Sequence, residues 1–277
     1  MSKQKVWFIT GSSKGMGLEI TKAVLNNGDK VIATTRDSET LSEEVTNYKG
    51  NVLLLKLDIT KEKDVDHAIS KSIEKFGQID VVVNNAGYNL LGNVEELSDA
   101  EFKETMYVNV FGLANIIRKV LPHLRRQKSG HIINTSSMMG YTSYPGNGSY
   151  SASKYAVIGL SEALAQEVAP FGIKVTILAP GSFRTNFMNP SNLNVVKNKI
   201  DVYNLDKQVE LFTGFDGKQL GDPKKLAEVL LKITKMSNPP LHLPLGSDSY
   251  NAILAIRDNE QKELEEWKNL SLSTDFQ

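Results

Sequence analysis

A chain of 277 residues, 40% hydrophobic and 23% charged, has the balance of an ordinary globular protein and room for one large α/β domain or two small ones. Lys plus Arg and Asp plus Glu both number 32, so no net charge favours nucleic acid or an anionic membrane, and the lack of cysteine excludes disulfides and thiolate-bound zinc. The four histidines, His67, His123, His131 and His242, stand far apart without carboxylates at ligand spacing, which argues against a metal centre.

The first strand-like run, VWFIT, begins at Val6, which leaves no room ahead of it for a secretion signal, and no stretch approaches the ~18 apolar residues of a membrane span. A cytoplasmic protein with neither nucleic acid nor membrane as partner is expected. VWFIT runs straight into TGSSKGMG, Thr10 to Gly17, whose glycines at 11, 15 and 17 allow a tight turn and close approach to a pyrophosphate at the start of the next helix. The spacing differs from the common GxGxxG fingerprint. KVIATT, NVLLLKLD, IDVVVNNAG, HIINTSS and KVTILAP follow, near-continuously apolar as strands buried on both faces should be.

Between the strands lie helical patterns. The stretch from Ser98 to Arg126 reads as one long helix, opened by a Ser98–Glu101 capping box and closed on basic residues. Asp222 and Pro223 suit the N-cap and first position of another helix, and a last one spans Ser249 to Leu270. Strict alternation predicts a single doubly wound parallel sheet with ligands at the carboxyl ends of its strands. No repeat or linker interrupts it.

At those carboxyl ends lie TGxxxGxG, NNAG from Asn84 to Gly87, YSASK with Tyr150 and Lys154 four residues apart, and PGSFRT from Pro180 to Thr185. One helical turn separates Tyr150 from Lys154, so a helix places them on one face. In order and placement these motifs resemble the short-chain dehydrogenases/reductases over roughly the whole chain to Thr185. GHIINTSS, GLSEALAQEVAPFGIKVTILAPGSFRT and LSTDF are also similar to a bacterial oxidoreductase branch related to the hydroxysteroid and retinol dehydrogenases.

The resemblance implies a single-domain Rossmann fold, a seven-stranded α/β sheet with a substrate lid at 186–220 and a C-terminal extension at 247–277. It implies a catalytic set of Asn109, Ser137, Tyr150 and Lys154. A phenol with a pKa near 10 is a poor base at neutrality, so a neighbouring ammonium and the positive nicotinamide are expected to lower it by about one to three units. Ser137, thirteen residues before Tyr150, would polarise the substrate oxygen, with Ser136 the competing candidate; Asn109 would hold a water linked to Lys154. Tyr155 is too close in sequence to share the face of Tyr150.

The cofactor is expected to lie against Gly11, Ser12, Ser13, Lys14, Gly15, Met16, Gly17, Thr35, Arg36, Asp58, Ile59, Asn85, Ala86, Gly87, Tyr150, Lys154, Pro180, Gly181 and Thr185, while Asn84 braces the sheet. Asp58 competes for a second role as helix N-cap. NAD enzymes of this type end the second strand on an acid that would repel a 2′-phosphate. Thr35 and Arg36 stand there instead, with Lys14 nearby, which favours NADP over NAD; in the alternative reading Asp37 is the ribose ligand.

Phe183, Phe187, Met188, Phe212 and Phe215, with Met138, Met139, Tyr141 and Tyr144, suggest an apolar pocket for a small-molecule carbonyl or alcohol. Small residues at Ser151, Ala152, Ser153, Ala156 and Gly159 suit the helix packing of a homodimer, and the last helix is expected to cap the sheet edge or to pack on a partner subunit. Two other functions remain open: a cofactor-binding regulator without turnover, and lyase chemistry like that of halohydrin dehalogenases, against which Gly11, Gly15, Gly17 and Lys154 argue.

Overall fold

All six β-branched runs form strands. The computed structural model describes residues 4–36, 41, 44–48 and 50–276; Asp37 lies outside them. The strands are β1 (Val6–Thr10), β2 (Lys30–Thr35), β3 (Val52–Lys56), β4 (Val81–Asn84), β5 (Gly130–Thr135), β6 (Ile173–Pro180) and a seventh, β7 (His242–Leu245). They make one parallel sheet in the order β3-β2-β1-β4-β5-β6-β7. The order reverses between β1 and β4, and at such a switch point the loops diverge and leave a crevice for a ligand.

Every residue of β1 is buried, so successive side chains enter both faces of the sheet. Phe8 joins Ile32, Ile116, Val120, Ile132 and Val157 under α2 (Glu62–Phe76), α4 (Leu113–Gln127) and α5 (Gly148–Val168). Trp7 and Ile9 join Ile20, Val24, Leu226 and Leu230 under α1 (Gly15–Asn26) and α7 (Pro223–Ile233). Each large side chain buried this way contributes about 1.5–3 kcal/mol, so β1 is held from both faces of the sheet.

Ser98 and Glu101 form the expected capping box, and Asp222 caps α7 through Lys224 N at 2.8 Å. The long helix differs from expectation. It is divided into α3 (Asp99–Met106), a π-helical segment Tyr107–Gly112, and α4. π-helical turns hold an extra residue and often mark functional sites; this one carries Asn109.

The segment 186–220 folds over the carboxyl ends of the strands. Asn194–Val195 pairs in parallel with Leu90–Leu91, and α6 (Leu205–Thr213) follows. The buried carboxylate of Glu96 accepts from Ile200 N at 2.9 Å and Glu101 accepts from Lys197 N at 3.1 Å, so this segment is pinned to the ground in front of α3. Past β7, α8 (Ser247–Glu266) and α9 (Lys268–Leu272) end the described chain.

Candidate active site

The first turn is built on backbone that disfavours side chains. Gly11 and Gly15 have φ of +69° and +58°, in the left-handed region. At Gly17 a Cβ would lie 2.1 Å from the Gly11 carbonyl oxygen, so only glycine lets α1 close on the turn. Thr10 ties this turn to NNAG: its Oγ1 accepts from Asn85 N and Ala86 N, both at 3.0 Å, while Asn85 Nδ2 donates to Thr10 O at 3.0 Å. Asn84 donates to Asn134 Oδ1 at 2.8 Å, and Asn134 to Ser161 Oγ at 2.8 Å, a buried brace from β4 through β5 to α5.

These loops wall a cavity of about 790 Å³. Gly11, Ser13, Lys14, Gly15, Met16, Thr35, Arg36, Asp58, Ile59, Asn85, Ala86, Gly87, Pro180, Gly181 and Thr185 line it together with Ser137, Tyr150 and Lys154. Ser12 and Gly17 do not. Ser12 is fully buried and donates to Ile9 O at 3.0 Å, so its hydroxyl serves the turn from behind, as Gly17 does by lacking a side chain. Asp58 receives Thr60 N and Oγ1 at 3.1 and 2.7 Å and closes the turn ahead of α2, whose N-cap position is Lys61. Burial pushes the Asp58 carboxyl up, but the Thr60 bonds and Lys61 outweigh it and hold it below its ordinary value.

At the far end α5 presents Tyr150 and Lys154 one turn apart. The Lys154 ammonium lies 5.5 Å from the Tyr150 ring centroid and donates to Thr135 O at 2.9 Å. Burial pulls Lys154 down to about 8. Burial also pushes the Tyr150 phenol up to about 12, against a hydrogen bond with Ser137 that pulls it down. In the protein's own surroundings desolvation of both groups favours their neutral forms, the opposite direction to the lowering expected from an ammonium and a nicotinamide charge together.

Ser136 and Ser137 face opposite ways, as neighbours at a strand end do. Both border the cavity, but Ser137 Oγ accepts from Met139 N at 3.1 Å and forms a hydrogen bond with Tyr150, whereas Ser136 Oγ donates to Lys154 O at 2.9 Å and so ties α5 to the end of β5. Asn109 does not line the cavity. Its Nδ2 donates to Tyr88 O at 2.9 Å and Ser153 Oγ at 3.0 Å, and its Oδ1 accepts from Tyr88 N at 3.1 Å, so its side chain clamps the NNAG loop to α5. A Cβ on Gly87 would stand 3.0 Å from Asn109 Oδ1 and 3.5 Å from Lys154 Nζ, a gap that glycine keeps open.

Of the apolar candidates, Met138, Met139, Phe183, Phe187, Met188 and Phe212 line the cavity, and the Phe187 and Tyr150 ring centroids are 6.2 Å apart. Tyr141, Tyr144 and Phe215 do not. Tyr141 turns away to bind His242 Nδ1 at 2.7 Å, and Tyr144 and Phe215 are exposed. One contributor, Asp248, and one contact, that of Lys14 with Asn192, leave little trace in sequence. Asp248 Oδ2 receives Ser182 N at 2.7 Å in the notch beside Gly181, where a Cβ would come within 2.1 Å of its Oδ1. Lys14 reaches across to the lid and donates to Asn192 Oδ1 at 2.8 Å. Among the described residues no group of three or more His, Asp or Glu could hold a metal, and no helix is long and apolar enough to cross a membrane.

A glycine turn at the switch point, a Tyr–Lys pair on the facing helix and a hydroxyl on the adjoining strand define an oxidoreductase of the short-chain dehydrogenase family, and the chain belongs to it: the family's model, "short chain dehydrogenase", matches residues 5–195. Oxidoreductase BOA17 of Botryotinia fuckeliana is 40% identical over 98% of this chain and 99% of its own. A short-chain dehydrogenase from Streptomyces avermitilis superposes with a TM-score of 0.90 at 36% identity, covering 99% of this chain and 100% of its own. ElxO with NADP bound (TM-score 0.75, 27% identity, 90% of this chain and 100% of its own) and a Burkholderia phymatum short-chain dehydrogenase/reductase in complex with NAD (0.80, 25%, 95% of each) share the fold.

Proposed function

We propose that the chain interconverts a carbonyl and a secondary alcohol on a mainly apolar small molecule, with NADP(H) as cofactor and Tyr150 as general acid and base. The observation that carries this is the convergence of Ser137, Tyr150 and Lys154 at one end of a cavity whose other end holds Arg36 and Lys14. A nicotinamide dinucleotide fits the residues present. The glycine turn leaves room for backbone approach, and Lys154 spends one of its three N–H donors on Thr135 O, which leaves two for ribose hydroxyls. Bound there, such a cofactor supplies hydride chemistry and, when oxidised, a positive charge.

The chain's own groups do the rest. In reduction, Ser137 Oγ holds the substrate oxygen and Tyr150 delivers its phenolic proton to it; in oxidation the phenolate takes that proton back. With the phenol at about 12 the protonated form is ready at neutral pH, and the charge on Lys154 favours the phenolate once the proton has left. Phe187, Met188 and Phe212 exclude water and favour an aromatic or alicyclic substrate. Arg36, directly after the buried Thr35, supports NADP because no carboxylate of β2 repels a 2′-phosphate.

We assign the working form to a homodimer. Tyr107 and Phe111, with ring centroids 5.4 Å apart, and Tyr155 and Leu160 are exposed on α5 and the segment before α4. Ala152 and Gly159 share that outer surface, whereas Ser151 and Ser153 point inward: Ser143 donates to Ser151 at 2.9 Å and Ser153 donates to Tyr150 O at 2.7 Å. The test of function is a panel of carbonyl compounds with NADPH and then NADH, followed by absorbance of the reduced nicotinamide. Oxidation of NADPH by an apolar ketone or aldehyde is expected. Tight cofactor binding without turnover on any of them would point to a regulator.

A further inference from the structure

The first half of α8 belongs to the body. Ser249 donates to Ala179 O at 2.7 Å, Ile253 is buried, and the Arg257 guanidinium lies 5.9 Å from the Tyr141 ring centroid. From Asp258 to Phe276 every residue is exposed. Yet the arm stays helical across the junction with α9, with Trp267 N on Glu263 O and Ser271 N on Trp267 O, both at 3.0 Å. Helices of this length are marginal in water without packing. Leu264, Trp267 and Leu270 are spaced three apart, share one face, and are 72%, 52% and 65% exposed. The described residues of its own subunit leave them largely uncovered.

Charge indicates what covers them. The arm holds six acids, Asp258, Glu260, Glu263, Glu265, Glu266 and Asp275, against Lys262 and Lys268. An acidic amphipathic helix is repelled by nucleic acid and by anionic lipid and suits a basic protein face with apolar residues. This chain has such a face. α4 carries Arg118, Lys119, Arg125 and Arg126 and no acid. Arg118 pairs with Glu62 and Lys119 with Asp66, while Arg125 lies 6.0 Å from the ring centroid of Phe171, which is 40% exposed, and Arg126 bonds His123 at 2.9 Å. The arm starts beside α5, where burial first and then the charge of Glu260 raise the phenol of Tyr155.

We infer that the C-terminal arm, Asp258 to Phe276, docks on the α4 face of a second copy of this chain, with Leu264, Trp267 and Leu270 as apolar anchors and its acids against Arg125 and Arg126. The inference rests on the two-copy assembly proposed above and adds an element to it. Two arms related by a two-fold axis then clasp the dimer from both sides.

The test is sedimentation velocity over nanomolar to micromolar concentrations on the full chain, on a chain ending at Arg257, on Leu264→Ser/Trp267→Ser/Leu270→Ser, and on Arg125→Glu/Arg126→Glu. Each variant is expected to raise the dimer dissociation constant at least tenfold, with the NADPH dissociation constant and the thermal midpoint of the separated subunit unchanged. Adding Glu263→Lys/Glu266→Lys to the Arg125→Glu/Arg126→Glu chain is expected to recover most of the loss. A full chain that dimerises with the same constant as all three variants would overturn the inference and leave the dimer standing. A full chain that stays monomeric at micromolar concentration would overturn both. Binding of neutral phosphatidylcholine vesicles by the full but not the shortened chain, at an unchanged dimer constant, would assign the arm to a lipid surface instead.

Discussion

The ammonium of Lys154 lies 5.5 Å from the ring centroid of Tyr150, and burial drives both groups toward their neutral forms, the ammonium down to about 8 and the phenol up to about 12. The pair is thus built for a proton that leaves reluctantly, so whatever brings positive charge into the cavity tunes it.

Tyr150→Phe removes the proton and little else, because the ring keeps its contacts with Phe187 and Lys154. Turnover is expected to fall by about 10²- to 10⁴-fold, the usual contribution of a positioned acid. NADPH affinity, read by fluorescence titration, should stay within about threefold, the margin of one lost hydrogen bond. Tyr155→Phe is the control. Its ring is 46% exposed, and its turnover should match the parent. A Tyr150→Phe chain keeping a tenth of the parent rate would place the acid elsewhere.

Lys154 carries a stability signature. An unfolded lysine titrates near 10.5 and this one at about 8, so between those values the unfolded chain binds more protons and the stability of the cofactor-free protein rises with pH. Below that window the buried charge costs on the order of 3 kcal/mol, at about 1.4 kcal/mol per pKa unit. Urea unfolding of Lys154→Met should therefore show a gain over the parent at pH 7 that shrinks steadily toward pH 10.5. A difference independent of pH would contradict the burial effect.

Arg36→Glu should reverse cofactor preference. A carboxylate placed after β2 repels a 2′-phosphate and can accept ribose hydroxyls. The KM for NADPH is expected to rise at least about tenfold, equivalent to about 1.4 kcal/mol, while that for NADH stays level or falls. Equal changes in both would mean that Arg36 serves the turn and not the phosphate.

Gly17→Ala should injure fold and site together. The added methyl meets Gly11 O at 2.1 Å and Asn85 Nδ2 at 2.6 Å, and both are tied to the turn. Overpacking of this kind costs about 1–3 kcal/mol, so the thermal midpoint should drop by several degrees and NADPH affinity should fall with it. Neither would change if α1 could simply back away from β1.

What the sequence disclosed and withheld has physical reasons. Six strands announce themselves by buried, β-branched runs, but β7 has only four residues and includes Pro244, tolerated because β7 is the sheet edge. Tyr150 and Lys154 are legible because four residues make one turn, whereas Ser137 is singled out over Ser136 by the resemblance, which places a serine thirteen residues before the tyrosine; both serines border the cavity. Residue type says nothing of direction, however. Ser12 turns inward, Tyr141 turns to His242, and Asn109 clamps Tyr88. Asp248 is illegible for another reason: it meets Ser182 only because β7 brings α8 beside the loop after β6. The π-helical segment leaves no mark either, since one surplus residue disturbs the hydrogen-bond register without altering the apolar pattern.

That surplus residue makes the segment intolerant of a kind of change quite different from substitution. Each residue of an α-helix turns the chain by about 100°, and the wider π turn absorbs one residue more while α3 and α4 stay in register, so removing one from Tyr107–Gly112 would relax the segment into regular helix and turn Asn109 from its present direction. Asn109 could then no longer hold both Tyr88 and Ser153. A chain shortened by Val108 is therefore expected to gain helical circular dichroism and lose the clamp between the NNAG loop and α5. Length in this stretch is constrained more tightly than composition, and deletions there should be far less tolerated than exchanges at Tyr107 or Phe111.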